Sequence, residues 1–192
     1  LKIGDNATVT LVFSDAVISF SSADDITVNN GALTPMTSND NITWAGTFTP
    51  AVNTEDATNI LSLATSYTDP AGNAGPSANT ANYDVDTLAP TISSLAITGA
   101  SGVLNNFVNA GDVVSVTVTF SENVSKTGTP QLTLVVGSYN RIASYTSGTG
   151  STALVFQYTI QAGETDSNGI SIGANTLALN GGIIRDPTGN DA

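Results

Sequence analysis

Apolar residues recur at every second position in two similar segments of the chain, 7–13 and 114–120. The predicted inward-facing residues are Val9, Leu11 and Phe13 in the first segment and Val114, Val116, Val118 and Phe120 in the second. Successive side chains of a strand point to opposite faces, so this period predicts two strands that each bury one face.

Shorter runs rich in β-branched and aromatic residues predict further strands, and no segment predicts a sustained helix. In the first half these are Ile26–Asn29, Ile42–Phe48, Ile60–Tyr67 and Asn82–Val85. In the second half they are Ile92–Ile97, Gln131–Val136, Arg141–Tyr145, Ala153–Ile160, Ile170–Ile172 and Gly182–Arg185. The dipeptides Asn30-Gly31 and Asn180-Gly181 predict tight turns, because both residues tolerate positive φ. The fold class predicted is all-β, with sandwiches of short strands.

Two phrases recur in the same order along the chain. Gly-Asp at 4–5 and 111–112 precedes a strand that ends in Phe-Ser and an acid, and Asp-Pro-x-Gly-Asn follows at 69–73 and 186–190. An ordered repeat of this kind predicts two related domains in tandem. We place them at residues 1–86 and 87–192, joined by a short stiff linker, because Pro90 is fixed in φ and biases Ala89 toward an extended conformation.

The two copies are unequal at their ends. The second begins with Thr91–Gly99, which has no counterpart in the first, and the first ends with Ala81–Asp86, which has none in the second. We therefore expect the first domain to lack its opening strand and the second its closing strand. Either the sequence is a trimmed piece, which we favour, or neighbouring repeats supply these strands.

Composition excludes several classes of function. The chain has 16 Asp and Glu against 4 Lys and Arg, a net charge of −12, and neither cysteine nor histidine. Such a chain repels nucleic acid and anionic membranes, and it lacks the commonest general base and transition-metal ligand. No apolar run approaches the roughly 20 residues of a membrane span. We expect the acids at the domain ends, Asp84, Asp86, Glu122 and Asp186, to lie in loops.

The ordered set of phrases resembles the bacterial Ig-like repeats of giant RTX- and Bap-type surface adhesins. It comprises Val-Thr-x-x-Phe-Ser-acid, then Asp-Pro-x-Gly-Asn, then Asp84-Val85-Asp86-Thr87-Leu88-Ala89-Pro90-Thr91. The resemblance covers nearly the whole chain. It implies immunoglobulin-like β-sandwiches, calcium at the junctions between domains, and a role as an extender or stalk.

Immunoglobulin topology, which the resemblance implies, gathers several acidic loops at one pole of each domain. For the second domain the candidate Ca²⁺ ligands are Asp84, Asp86, Glu122, Asp186 and Asn190, since Ca²⁺ takes 6–8 oxygen ligands. For the first domain they are Asp15, Asp69 and Asn73, an incomplete set that Asp24 and Asp25 could supplement. Taken alone, Asp-Pro-x-Gly-Asn is equally well explained as ordinary turn chemistry.

Three other residues have simpler interpretations. We predict that Trp44, the only tryptophan, packs in the core, with an exposed sugar platform as the alternative. Glu55 and Asp56 are expected to lie in a solvated loop.

The function predicted is a non-enzymatic, calcium-stiffened stalk module of a secreted adhesin at the bacterial cell surface, serving cell adhesion and biofilm formation. We expect a monomer whose partners are neighbouring repeats of the same chain. A ligand-binding domain for glycans or surfaces is the runner-up. A carboxylate-pair enzyme and a pilus-like subunit completed by neighbouring strands are weaker alternatives.

Overall fold

A computed structural model describes all 192 residues, and the chain divides into two compact units, Leu1–Leu88 and Ala89–Ala192. The sequence had placed this boundary after Asp86. The only helix is one turn, α1 (Ser22–Asp25). No helix in this protein has the length and apolar character that crossing a membrane requires. The all-β class with an immunoglobulin-like sandwich fold is confirmed.

The first unit contains eight short antiparallel strands in three small sheets. They are β1 (Ala7–Val12), β2 (Ile26–Val28), β3 (Gly31–Leu33), β4 (Thr43–Pro50), β5 (Glu55–Asn59), β6 (Leu61–Leu63), β7 (Ala78–Asn79) and β8 (Tyr83–Asp86). The sheet orders are β1-β4-β3, β2-β6-β7 and β5-β8. The last strand, β8, therefore lies against β5, with Asp56 opposite Val85.

Aromatic rings form the centre of the first core. Phe20 lies edge-on to Trp44 at a centroid distance of 4.9 Å and to Phe13 at 5.6 Å. Tyr67 is buried beside them, and its hydroxyl donates to the carbonyl of Pro76 at 2.7 Å. Trp44 is thus a packing residue, and this removes it as an exposed sugar platform.

The second unit has seven antiparallel strands in one connected sheet, and all but the last of them are at least six residues long. They are β9 (Ile92–Ser101), β10 (Val113–Lys126), β11 (Gln131–Val136), β12 (Tyr139–Ser147), β13 (Ser151–Thr159), β14 (Ser171–Ala178) and β15 (Ile184–Arg185). The order is β14-β11-β12-β13-β10-β15, and β9 pairs with β10 as well. The inward residues of β10, β11 and β13 form a single buried core.

The two strands with the clearest alternation differ in burial. In β10 the predicted inward residues are all buried, as expected. In β1 the corresponding face, which includes Val9 and Leu11, is only half-buried. β10 is flanked by β13 and β9 and contributes to a core of fourteen buried residues, whereas β1 is an edge strand whose Val9 and Leu11 pack against a core of only five.

The loop predicted at Glu55 and Asp56 is wrong, because these residues begin β5. Pairing with β8 holds them in a strand despite their low β-propensity. Asp56 is tied further by its carboxylate, which accepts from Asn30 Nδ2 at 2.8 Å and from the N–H and hydroxyl of Thr58 at 2.8 Å each. These bonds with Thr58 and Asn30 hold the pKa of Asp56 below its ordinary value.

The two Asn-Gly dipeptides use glycine for different reasons. Asn180 and Gly181 both have positive φ, 52° and 76°, as a tight turn requires. Asn30 has a φ of 50°, but at Gly31 it is the Phe48 ring that excludes a side chain, since a Cβ there would lie 2.3 Å from the ring. The first turn therefore depends on close packing as well as on backbone freedom.

Candidate functional site

The second Asp-Pro loop is a closed network centred on Asp186. Its Oδ1 accepts the hydroxyl of Thr188 at 2.8 Å and the N–H groups of Gly189 and Asn190 at 2.5 and 2.8 Å. Its Oδ2 accepts Asn190 Nδ2 at 2.7 Å. Asp186 and Asn190 are 1% and 2% exposed, so a buried carboxylate is matched by donors from its own loop.

Two opposing effects set the protonation of Asp186. Burial raises its pKa, but the hydrogen bonds from Asn190, Thr188 and Gly189 outweigh burial and hold the pKa below its ordinary value. The carboxylate is therefore ionised at neutral pH. A fixed negative charge is a requirement for binding a hard cation.

The first Asp-Pro loop repeats this geometry in a more exposed setting. Asp69 accepts the N–H of Asn73 at 2.9 Å and its Nδ2 at 2.7 Å, and donates its own N–H to the Asn73 carbonyl at 3.0 Å. Bonds from Asn73 hold the pKa of Asp69 below its ordinary value. A β-bridge closes each loop, Thr68 to Ala74 and Arg185 to Asp191. The two copies of the Asp-Pro phrase thus adopt similar loop conformations.

The three candidate ligands of the first unit line one depression. Asp15, Asp69 and Asn73 all border an open cavity of about 300 Å³ beside Phe13. Asp25 does not supplement them, because its carboxylate closes α1 by accepting the Ser21 N–H at 2.8 Å and the Ser66 hydroxyl. The first unit therefore gathers two carboxylates and one amide, fewer oxygens than Ca²⁺ requires.

Asp84 and Asp86 lie in β8, so the prediction that they are loop residues is wrong. They share one face of the strand, and the opposite face carries Tyr83 and the buried Val85. Asp84 is exposed and Asp86 is half-buried, with Asp86 Oδ1 accepting the N–H of Leu88 at 3.2 Å. Strand pairing with β5 places Asp86 opposite Glu55, whereas Asp84 lies where the register of this pairing shifts.

Glu122 also lies within a strand instead of following one. It falls where the pairing of β10 with β13 is interrupted, between Thr119 and Val124. The strand continues past it because Ser125 and Lys126 pair with β15. Glu122 is half-buried at this irregularity, a position that alternation alone could not reveal.

The donor chemistry of these loops fits a hard cation. Each unit offers carboxylate and amide oxygens without nitrogen or sulfur ligands, a set that suits Ca²⁺ better than zinc or copper. The hydrogen bonds of the Asp186 loop also account for its turn conformation without an ion. Calcium is therefore compatible with the loops but is not needed to explain their shape.

One polar cluster, centred on Glu164, was not predicted from the sequence. The buried carboxylate of Glu164 pairs with Arg141 Nε and accepts the Tyr158 hydroxyl at 2.6 Å and the Gln161 N–H at 2.8 Å. Burial raises the pKa of Glu164, but these partners lower it by more. The cluster ties the loop after β13 to β12. Arg141 lies 23 residues from Glu164 in the sequence, so no local motif could have indicated their ion pair.

Replacing Asp186 with asparagine should lower the unfolding free energy of the second unit and should make that free energy vary less with pH. A carboxylate with a lowered folded pKa stabilises the fold above its unfolded pKa of about 3.9, and this stability is lost as the pH falls through the folded pKa. The variant should lose about 1–3 kcal/mol at neutral pH, typical for a hydrogen-bonded charged group, and should lose less than the wild type on acidification.

Circular dichroism during urea unfolding, repeated across acidic pH, measures this effect. Fluorescence of Trp44 reports the first unit separately, since it is the only tryptophan. Asp69→Asn is the matched control, because it changes the same motif in the other unit and should leave the second transition unmoved. Parallel pH curves for Asp186→Asn and wild type would contradict the assignment.

Taken together, antiparallel strands, two buried cores and the repeated hairpin loops define a protein of immunoglobulin-like β-sandwiches. Residues 1–85 match the model of a family described as bacterial Ig-like domain. This match supports a bacterial Ig-like domain in the first unit, and such domains are often found in surface proteins. No curated protein and no solved structure matches the chain.

Proposed function

We propose that the chain is a non-enzymatic stalk module of a large adhesin at the bacterial cell surface. The observation that carries the proposal is the repeated Asp-Pro loop network, which occurs once in each unit and in the same chain order. The family match over the first unit supports a structural or binding role. A repeated domain extends a surface protein by adding length without new chemistry.

Calcium is the second part of the proposal. We assign it to four acids and one amide on either side of the domain boundary: Asp84 and Asp86 before it, and Glu122, Asp186 and Asn190 after it. The support is chemical, since these are oxygen donors on ordered backbone and Asp186 is ionised. A cation held by residues from both sides would restrain the short linker, and an array of such joints would stay extended.

Loss of Asp86 should loosen the linker while leaving each unit folded. We expect small-angle scattering of Asp86→Ala in calcium to show a broader distribution of distances than wild type, because one carboxylate ligand is removed. Asp24→Ala is the matched control, since it removes an exposed acid from α1. Unchanged circular dichroism would show that folding is intact.

Superimposable scattering profiles for Asp86→Ala and wild type in calcium would overturn the stiffening mechanism. If the wild-type profile does not change between chelator and calcium, the ion has no part in it. The stalk role would then rest on the stiffness of the linker itself, with Pro90 as its fixed element.

A further inference from the structure

The second unit has a small cavity with a mixed polar and apolar lining, at the opposite end of β10 from its pairing with β15. This distal cavity lies where β10 begins and where β11 and β13 end, and its volume is about 280 Å³. No lysine or arginine borders it. The residues that line it include Asn106, Phe107, Ile160, Glu164, Asp166 and Ser167. Pockets for drug-sized ligands are mostly larger, so this cavity suits a single small ring.

The rim of the distal cavity carries an aromatic ring on a tight turn. Leu104 and Phe107 exchange two backbone hydrogen bonds of 3.0 Å. Asn105 and Asn106 between them have φ of 54° and 67°, and positive φ at both central residues is typical of a type I′ turn. The Phe107 side chain is 69% exposed on this turn. Because the turn already fixes its backbone, covering the ring with a ligand costs little conformational entropy.

The two carboxylates of the distal cavity are held in place, and each can accept another hydrogen bond. A carboxylate offers about four lone-pair sites. Glu164 accepts the three hydrogen bonds described above. Asp166 accepts three backbone N–H groups, those of Gly137, Asn168 and Gly169, at 2.9, 3.1 and 2.9 Å. The bond from Gly137 contributes most to holding the pKa of Asp166 below its ordinary value. Both carboxylates are therefore fixed, ionised acceptors with about one site left on each.

Two further polar side chains at the distal cavity are available to a ligand. The Asn106 amide and the Ser167 hydroxyl have no hydrogen-bond partner within the protein. An amide and a hydroxyl can each donate and accept. The cavity thus presents acceptors, donors and an exposed aromatic ring, but no cationic group.

The first unit shows which part of this lining belongs to the fold. Asp166 follows β13, which pairs with β10, as Asp56 follows β4, which pairs with β1. Each of these carboxylates accepts the N–H of the second residue after it, so the Asp166 turn is common to both units. Two residues earlier, however, the first unit has Thr54 where the second has Glu164. The repeated turn therefore does not require an acid at position 164, and the polar lining that Glu164 provides is particular to the second unit.

We infer that the distal cavity binds one neutral hexose ring of a glycan. The apolar C–H face of the sugar packs on the Phe107 ring. Sugar hydroxyls donate to the carboxylates of Glu164 and Asp166, and they exchange hydrogen bonds with Asn106 and Ser167. The inference goes beyond the proposed stalk and calcium chemistry, because it gives the second unit a recognition site of its own.

Charge and polarity narrow the ligand to this class. An anionic sugar would meet two carboxylates and no compensating cation, which costs binding free energy. A purely apolar ligand would leave the polar groups of the cavity unpaired. A cation gains less than the two acids imply, because Arg141 already balances the charge of Glu164.

Nuclear magnetic resonance titration of the full chain in chelator tests the site. The probes are methyl β-glucoside and methyl β-galactoside, each matched by its uronic acid, methyl β-glucuronide and methyl β-galacturonide. At least one neutral sugar should shift the amide signals of Phe107, Gly137 and Gly169, with a dissociation constant on the order of 1 mM for a ligand of this size. The matching uronide should bind at least about tenfold more weakly, because its carboxylate is repelled.

Three variants separate the aromatic contact from general apolar exposure. Phe107→Ala should weaken binding of the neutral sugar by about tenfold, whereas Phe107→Tyr keeps the ring and should retain binding. Leu104→Ala is the matched control, since Leu104 is 66% exposed on the same turn but does not line the distal cavity. It should bind like the wild type. Circular dichroism checks that each variant is folded.

Several outcomes would overturn the inference. Neither neutral sugar could shift these amides at concentrations well above the expected dissociation constant, or a uronide could bind as tightly as its neutral partner. Equal binding by Phe107→Ala and the wild type would exclude the aromatic contact. Tighter binding of choline than of either neutral sugar would assign the cavity to a cation instead. None of these results changes the scattering test of linker stiffness, so the two proposals fail separately.

Discussion

Replacing Phe156 with alanine should lower the unfolding free energy of the second unit by about 3–5 kcal/mol and leave the first unit unaffected. Phe156 is fully buried on β13, and its ring lies 6.0 Å from that of Tyr145. Its removal leaves a cavity that the surrounding strands cannot fill. The effect should be confined because each unit has its own core.

Two optical signals separate the units in this experiment. Trp44 fluorescence follows the first unit, and far-ultraviolet circular dichroism follows both. Phe107→Ala is the matched control, since Phe107 is 69% exposed on the second unit and should change stability by less than about 0.5 kcal/mol. A Trp44 transition that moves with Phe156→Ala would contradict independent folding and would weaken the tandem interpretation.

Calcium added after chelation should raise the unfolding free energy by about 2.7 kcal/mol, if the free ion is at about 100 times its dissociation constant. The gain arises because the ion binds the folded form and relieves repulsion among the acids. Asp186→Asn should lose most of this shift. Asp24→Asn, which changes an exposed acid of α1, should keep it.

Magnesium provides the ion control for the calcium experiment. Mg²⁺ demands near-ideal octahedral geometry and gives up its water reluctantly, so it should stabilise the protein less than Ca²⁺ at the same concentration. Identical melting in chelator and in calcium would reduce the Asp-Pro loops to turns held by their own hydrogen bonds. The networks around Asp69 and Asp186 would then be sufficient explanations of both motifs.

The predictions from sequence were most accurate for strands that have a long hydrophobic alternation and a fully buried face. β11 has the bounds predicted, Gln131–Val136, and the inward face of β10 is as expected. In such strands the hydrophobic period alone determines which face is buried. β3, β5 and β7 were missed because they are only two to five residues long, and their pairing partners determine their conformation.

The sequence predicted the Asp-Pro loop of the candidate site, but it did not predict which of the other acids lie within strands. The hydrogen-bonded loop of Asp186 and Asn190 was indicated by its local motif, because all of the turn-forming hydrogen bonds lie within five consecutive residues. Glu122 was misplaced because an interruption of strand pairing depends on β13 and β15, which are distant in sequence. The exposure of β9 was likewise not indicated by its sequence, which contains Ile92, Leu95 and Ile97.

The Glu164 cluster has a consequence in alkaline solution. The Tyr158 hydroxyl donates to the Glu164 carboxylate, and burial together with this hydrogen bond raises the pKa of Tyr158 above its ordinary value. A tyrosine whose pKa is raised keeps its proton through the pH range in which exposed tyrosines lose theirs. The hydrogen bond between β13 and the loop that follows it should therefore persist in mildly alkaline solution.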